Sequence, residues 1–269
     1  MLIDTHCHLN MLIKKTFDTP LPENFRTAAQ SLLDDALAAG VTTLINVGTS
    51  GIESQNCVVL AETFKNCFAT IGTHPNDLSS SWKDDILLYR DLLSDPAHKI
   101  VGIGEIGLDY HYPQYDKDRQ YKGFEAQIAL ALEHNLPIVI HTRDAGQETL
   151  DVLAYHKDPQ LRGIIHCFSE DFEFAQRALE LGFVLGIGGT LTYPKNENLR
   201  KIFSTVPLEK IVLETDAPFL PPQSLRGKTN SPANIRIIAE YLAGLRDNSF
   251  EEVAIVTTQT AATLFGILS

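Results

Sequence analysis

Eight short apolar runs, each followed by a longer segment of helical period, set the limits on what this chain can fold into. The runs are Leu2–Asp4, Thr42–Val47, Ala69–Gly72, Ile100–Ile106, Pro137–His141, Gly163–His166, Phe183–Ile187 and Lys210–Glu214. They are rich in β-branched residues and nearly continuous in their apolar character, as strands covered on both faces are. The segments between them stop where helices stop. Ala28–Ala39 meets Gly40, Phe124–His134 meets Asn135 and Phe172–Leu181 meets Gly182, residues that accept a left-handed backbone. Ser231-Pro232 supplies a cap and a first-turn proline for a helix over Pro232–Leu245. Ser249 and Glu252 have capping-box spacing for a last helix ending near Leu264. Strands alternating with helices predict a parallel sheet, either closed as one (β/α)8 TIM barrel over residues 1–269 or open and doubly wound.

The polar residues choose between these two. Seven of the eight runs finish on something a core rejects: His6-Cys7-His8, Thr73-His74, Glu105, His141-Thr142-Arg143-Asp144, His166, Gly188-Gly189 and Asp216. A barrel gathers these C-terminal strand ends at one mouth, whereas an open sheet spreads them along an edge. The barrel is the architecture that gives them a common purpose. Side chains two apart on a strand share a face, so His6 and His8 point inward together and Cys7 outward. By the same rule Glu214 and Asp216 share a face, with Glu214 one layer deeper.

Four imidazoles (His6, His8, His141, His166) and two carboxylates (Glu105, Asp216) therefore meet from five strands. One catalytic zinc takes about three protein ligands. Six suit two divalent ions bridged by a carboxylate, with Glu105 as the bridge. Two such ions against two carboxylates leave an excess of positive charge, which draws an anionic substrate such as phosphate and stabilises hydroxide. Mg, Mn and Zn are all candidates, with imidazole favouring Zn or Mn.

A formal net charge of −12 excludes a protein that coats duplex nucleic acid by charge alone. Nucleic-acid chemistry here has to rely on local cations, which suits gripping a strand end. Cys7, Cys57, Cys67 and Cys167 show neither CxxC nor finger spacing and read as buried reduced thiols. No run approaches the ~18–20 apolar residues of a membrane span, and the first residues lack the features of a signal peptide. The cytoplasm is the expected location, with no obligatory protein partner.

The motifs D-T-H-C-H-L, G-T-H-P, G-E-I-G-L-D-Y, P-I-V-I-H-T-R-D-A, I-H-C-F-S and L-E-T-D-A-P-F-L-P-P-x-x-L-R-G-K-x-N-S-P run in order from residue 4 to 232. As a set they resemble the TatD family of metal-dependent deoxyribonucleases, a branch of the amidohydrolase superfamily. The resemblance implies a two-metal phosphodiesterase that releases nucleotides from the 3′ end of DNA. It implies that His6, His8 and Asp216 hold one ion, Glu105 bridges, and His141 with His166 holds the other. Some relatives are linked to removal of D-amino acids from tRNA, which keeps a D-aminoacyl-tRNA ester hydrolase as the alternative. Phe219 departs from the tyrosine many relatives carry and removes a hydroxyl from the mouth.

The expected reaction is in-line attack of an ion-activated hydroxide on phosphorus, with Asp216 accepting its proton. His74 and Arg143 are the candidates for holding the substrate phosphate, Arg143 through its planar fork of donors or else in a structural ion pair. Arg226 and Lys228 follow the eighth strand, where they would attract the next phosphate or else belong to a solvated loop turning at Gly227. Glu214 is expected to orient a ligand histidine, and Tyr110 and Tyr112 to stack on a base or line their loop. His98, His134 and His156 read as surface residues, and His111 lies in a mouth loop with no assigned role. The first connection, Leu9 to about Thr27, reads as a loop over the mouth. A barrel keeping its metals for structure, or serving only to bind a partner, is disfavoured by the complete ligand set.

Overall fold

A computed structural model describes residues 1–267. Its strands are β1 (Leu2–Cys7), β2 (Val41–Val47), β3 (Cys67–Ile71), β4 (Ile100–Asp109), β5 (Ile138–Arg143), β6 (Gly163–Ile165), β7 (Val184–Ile187) and β8 (Ile211–Leu213). They form one sheet in the order β1 to β8, and every neighbouring pair is parallel. Helices cover it: α1 (Leu9–Lys14), α2 (Phe25–Ala38), α3 (Gly51–Thr63), α4 (Trp82–Leu93), α5 (Lys117–Glu133), α6 (Gly146–Tyr155), α7 (Phe172–Glu180), α8 (Glu197–Thr205), α9 (Ile235–Arg246) and α10 (Phe250–Phe265). This is the (β/α)8 barrel expected from the sequence.

Closure between β8 and β1 depends partly on side chains. Asp216 N donates to His6 O at 2.8 Å and His8 N to Ala217 O at 2.7 Å. Below them the buried Asp4 carboxyl accepts from Thr215 N at 2.9 Å and Thr215 Oγ1 at 2.6 Å, and Thr5 Oγ1 donates to Leu213 O at 3.0 Å. Burial pushes the Asp4 carboxyl up to about 8 against the pull of those donors.

The interior below the mouth is a ring of β-branched side chains: Ile3, Ile45, Val47, Val101, Val139, Ile164, Val184 and Val212, with Phe68 at its edge. The end of α10 plugs it from beneath with Leu264 and Phe265. Counting up by twos from this ring, Val139 leads to His141, Ile164 to His166, and Val212 to Glu214 and Asp216. On β1 and β4 simple alternation fails. Ile3 is in the ring but Cys7, of the same parity, packs in the outer layer. Val101 is in the ring but Ile103 packs outside. Register irregularities between Asp4 and Cys7, and between Ile103 and Ile106, change the face. Such bulges re-aim side chains beside active sites, and here they turn His6, His8 and Glu105 inward.

Two expectations need correction. The first connection is not a plain loop: Leu9–Lys14 is helical, held by buried Leu9 and Met11. At its end the Lys14 ammonium lies 2.6 Å from the buried Glu53, which also accepts from Asn10, Asn56 and Asp18 N. His166 and Asp216 do not end strands. β6 and β8 stop before them, and the backbone turns left-handed at Cys167 (φ 45°) and Asp216 (φ 56°).

Candidate active site

The mouth is a cleft of about 670 Å³ whose floor holds His8, Glu105, His141, His166 and Asp216. His6 lies just beneath, fully buried and stacked on His166 with ring centroids 3.4 Å apart. All six expected ligands are together. Glu105 stands at the centre, and its two oxygens face different groups. Oε2 is 3.3 Å from His6 Nε2 and 3.9 Å from His8 Nε2. Oε1 is 3.0 Å from His141 Nδ1 and 3.9 Å from His166 Nε2. Asp216 Oδ1 completes the first side, 3.5 Å from His8 Nε2 and 3.7 Å from His6 Nε2.

Contacts behind the rings decide which nitrogens are bare. His8 Nδ1 lies 2.9 Å from the carbonyl of Val47. A carbonyl only accepts, so in the neutral ring Nδ1 donates and the lone pair of Nε2 faces His6 Nε2 at 3.2 Å. His166 Nδ1 lies 3.0 Å from Glu214 Oε1, a charge contact outside hydrogen-bond geometry that turns Nε2 towards the cleft. His141 stands between two carboxylates, Nε2 3.1 Å from Asp109 Oδ2 and Nδ1 3.0 Å from Glu105 Oε1; with its N–H donated to Asp109, Nδ1 is the bare nitrogen on the Glu105 side. Bare imidazole nitrogens converging on carboxylates are the donor chemistry of borderline divalent ions, backed here by the carboxylate and carbonyl partners such ligands usually have.

The protonation balance agrees. Burial opposes charge on His166, but Glu214, Glu105 and Asp216 outweigh it and push its pKa up to about 10. His8 is raised by Asp216 and Glu105, and His141 by Asp109 and Glu105, both against burial. Glu105 is held well below the carboxylate range, despite its burial, by His141, His166 and His6. Asp216 is lowered in the same way by His8 and His166. Without cations, protons on the imidazoles do the work of positive charge that the carboxylates require.

One glycine makes the cluster possible. A Cβ at Gly107 would stand 1.9 Å from His141 O, so only glycine lets β4 approach β5 closely enough to put Glu105 and Asp109 on either side of His141.

A model of TatD related DNases matches residues 3–266. The chain belongs to the TatD family. It is 36% identical over 268 residues to the uncharacterized metal-dependent hydrolase YabD of Bacillus subtilis, covering 99% of this chain and 100% of that one. It is 35% identical over 237 residues to the 3′-5′ ssDNA/RNA exonuclease TatD of Citrobacter rodentium, covering 86% and 89%. The crystal structure of the TatD homolog YjjV of Escherichia coli superposes with a TM-score of 0.90 at 29% identity, covering 99% and 98%. This TatD-family chain is a metal-dependent hydrolase. No helix among its described residues is long and apolar enough to cross a membrane.

The expected substrate contacts of this TatD-family site divide. His74 lines the cleft with Nε2 3.7 Å from Glu105 Oε1. Its Nδ1 accepts from Asn76 N at 3.2 Å, so the neutral ring offers an N–H to the cleft and no lone pair for an ion. Burial and the neighbouring His141 push His74 down to about 3, which keeps it neutral. Arg143 also lines the cleft, its guanidinium 5.7 Å from the Tyr112 ring centroid, with no ion pair among the described residues. Arg226 does not reach the cleft. It sits with Lys228 in an adjoining depression, beyond the shared Leu220. Tyr110 stacks on Tyr115 within its own loop, whereas Tyr112 is at the mouth. Phe219 lines the cleft edge-on to His8, ring centroids 5.9 Å apart. His98 and His156 pair with Glu62 and Glu125 away from the site, and His111 pairs with Asp144 on the rim.

Two positioning residues escaped the sequence reading. Asp109 is four residues after Glu105 on β4, so the alternation that located His6 and His8 places it on the same face. Against burial, the hydrogen bonds from His141 and His111 N draw it down to about 2. Asn230, within the N-S-P of the last motif, is buried and donates to both Thr215 O and Phe219 O at 2.7 Å. It thereby fixes the left-handed turn that presents Asp216.

Proposed function

We propose that this chain is a cytoplasmic two-metal deoxyribonuclease that removes nucleotides from the 3′ end of a DNA strand. One observation carries the reading: Glu105 directs one oxygen to the His6–His8–Asp216 group and the other towards His141 and His166. A single carboxylate shared by two nitrogen groups is the arrangement of a bridged pair of ions. When bound, two divalent ions (Mg, Mn or Zn) supply Lewis acidity and a nucleophilic hydroxide at neutral pH.

The side chains do the rest. His6, His8 and Asp216 would hold one ion and His141 and His166 the other, with Glu105 shared between them. Glu214 and Asp109 position His166 and His141 from behind. Asp216, lowered into its ionised form by His8 and His166, is the base that accepts the proton of the attacking water through the oxygen not turned to the imidazoles. His74 Nε2–H donates a hydrogen bond to a phosphate oxygen, and Arg143, in no ion pair among the described residues, grips another. The name of the Citrobacter relative supports a single strand attacked from the 3′ end.

End-labelled single-stranded DNA, digested after chelation and readdition of Mg, Mn or Zn, tests this reading. The expected result is a metal-restored ladder that shrinks from the 3′ end and is absent in Asp216→Asn. No cleavage with any metal, at two ions bound per chain, rejects the nuclease and points to ester substrates such as D-aminoacyl-tRNA.

A further inference from the structure

Three depressions open off the cleft, and they differ in charge. The first, about 270 Å³, shares Asn76 and Tyr112 with the cleft. Its charged residues, Arg119 and Asp116, pair with each other at 3.0 Å. The second, about 570 Å³, shares Arg143 with the cleft but also carries Asp144 and Glu170. The third, about 470 Å³, shares Leu220 and is lined by Arg226 and Lys228 with no acid.

The end of a nucleic-acid strand is asymmetric in the same way. One side is a terminal nucleoside with no phosphate beyond it, and the other is a chain with one negative charge per nucleotide. Resting on the strand-end nuclease reading above, we propose that the strand crosses the mouth in one fixed direction. The terminal base enters the Tyr112 pocket, and the phosphates that follow pass over Leu220 into the Arg226–Lys228 depression.

Each half of the proposal has its own support. The first pocket is below the roughly 300–1,000 Å³ that holds a drug-sized ligand, a scale suited to one planar ring system. Tyr112 is 45% exposed where pocket and cleft meet, with Arg143 5.7 Å from its ring centroid and His111 edge-on at 5.3 Å, and its remaining surface is open to a base. Asn76 commits its amide nitrogen to Asp109 Oδ2 at 2.9 Å, which fixes the side chain and leaves the amide oxygen as an acceptor for a base edge. In the third depression the Arg226 guanidinium lies 4.6 Å from the ring centroid of Tyr193, whose hydroxyl donates to Pro221 O at 2.9 Å. An aromatic face holds this cation without neutralising it. In a chain of net charge −12, an acid-free pair of cations beside the cleft is a local inversion of the overall field. The second depression is the wrong exit, because Asp144 and Glu170 would face the phosphates there.

The test uses the metal-loaded full-length enzyme and a labelled single-stranded oligonucleotide, beside the same strand with an abasic terminal nucleotide. Arg226→Ala combined with Lys228→Ala is expected to raise KM about tenfold while kcat changes less than about twofold. It should also flatten the salt dependence of kcat/KM by about 1.4 in log–log slope, at about 0.7 for each lost single-strand phosphate contact. Tyr112→Ala should erase an approximately tenfold preference for the normal end over the abasic one, and Tyr112→Phe should keep it. If the wild-type enzyme cuts the strand but these variants retain its salt slope and end preference, the direction is overturned and the nuclease reading stands. Wild-type enzyme that neither cuts nor binds the strand with Mg, Mn or Zn rejects the nuclease reading and this proposal with it.

Discussion

The two ends of the barrel are built from the same eight strands and obey different rules. At the base, one β-branched side chain after another points inward and α10 closes the floor. At the mouth, strands bulge or stop short, residues turn left-handed, and burial competes with charge at nearly every group. The base holds the fold without chemistry, and the mouth holds chemistry at a cost in local order. Substitutions at the two ends should therefore fail in different ways.

The largest expected effect is at the mouth. Asp216→Asn is expected to keep the volume and the fold while removing the proposed base and one proposed anionic ligand. We expect kcat to fall about 10³-fold, equivalent to about 4 kcal/mol, with the melting temperature of the metal-free protein nearly unchanged. Steady-state kinetics beside calorimetry decides, and turnover within a few-fold of wild type removes Asp216 from the base role. At the opposite end, Phe265→Ala empties the floor of the ring and should cost about 3–5 kcal/mol of stability, while kcat per folded molecule stays within about twofold. A fall in kcat at full folding would show that the two ends are mechanically coupled, and the comparison would break.

Next in size is Glu214→Gln, in the layer between mouth and base. Glu214 is buried, faces His166 Nδ1, and also accepts from Cys167 N at 2.6 Å. The space for it exists because position 186 is glycine, where a Cβ would stand 2.4 Å from Glu214 Oε2. Glutamine keeps the shape and loses the charge that positions His166. Metal affinity is expected to fall about 10–100-fold, read by competition with a chelating dye. Unchanged affinity would assign Glu214 to the base, as a packing residue with a buried charge.

How much of this was legible in the sequence follows the same division. The base was legible because a strand covered on both faces leaves an unbroken apolar run, and the ring obeys two-residue alternation. All eight strands were located for that reason. The convergence of His6, His8, Glu105, His141, His166 and Asp216 was legible because histidine and carboxylate are out of place at a strand end. Asp109 was open to the same reasoning and was passed over because its partner, His141, is supplied by another strand. The bulges on β1 and β4 could not be read, since they depend on how neighbouring strands register. Nor could the placing of Arg226 outside the cleft or of Lys14 against Glu53, which depend on where a loop folds and on a residue 39 positions away.

The smallest effect separates the ends by pH. In the metal-free site His166 holds a proton up to about pH 10, and His8 and His141 are raised as well. An ion taking His166 Nε2 must displace that proton, so metal binding below pH 10 releases protons and strengthens as pH rises, by up to about tenfold per unit for each proton released. The sign for the metal-free fold is opposite. The contribution of His166 is fully present below its unfolded pKa of about 6.5 and is lost as pH rises through about 10, so metal-free protein should weaken towards alkaline pH as metal binding gains. Calorimetric titration in buffers of different ionisation enthalpy counts the protons, and Glu214→Gln should lower the count by lowering the proton affinity of His166. Metal affinity independent of pH between 6 and 8, with no proton released, would mean that His166 is not a ligand. The second ion would then have to rest on Glu105 and His141 alone.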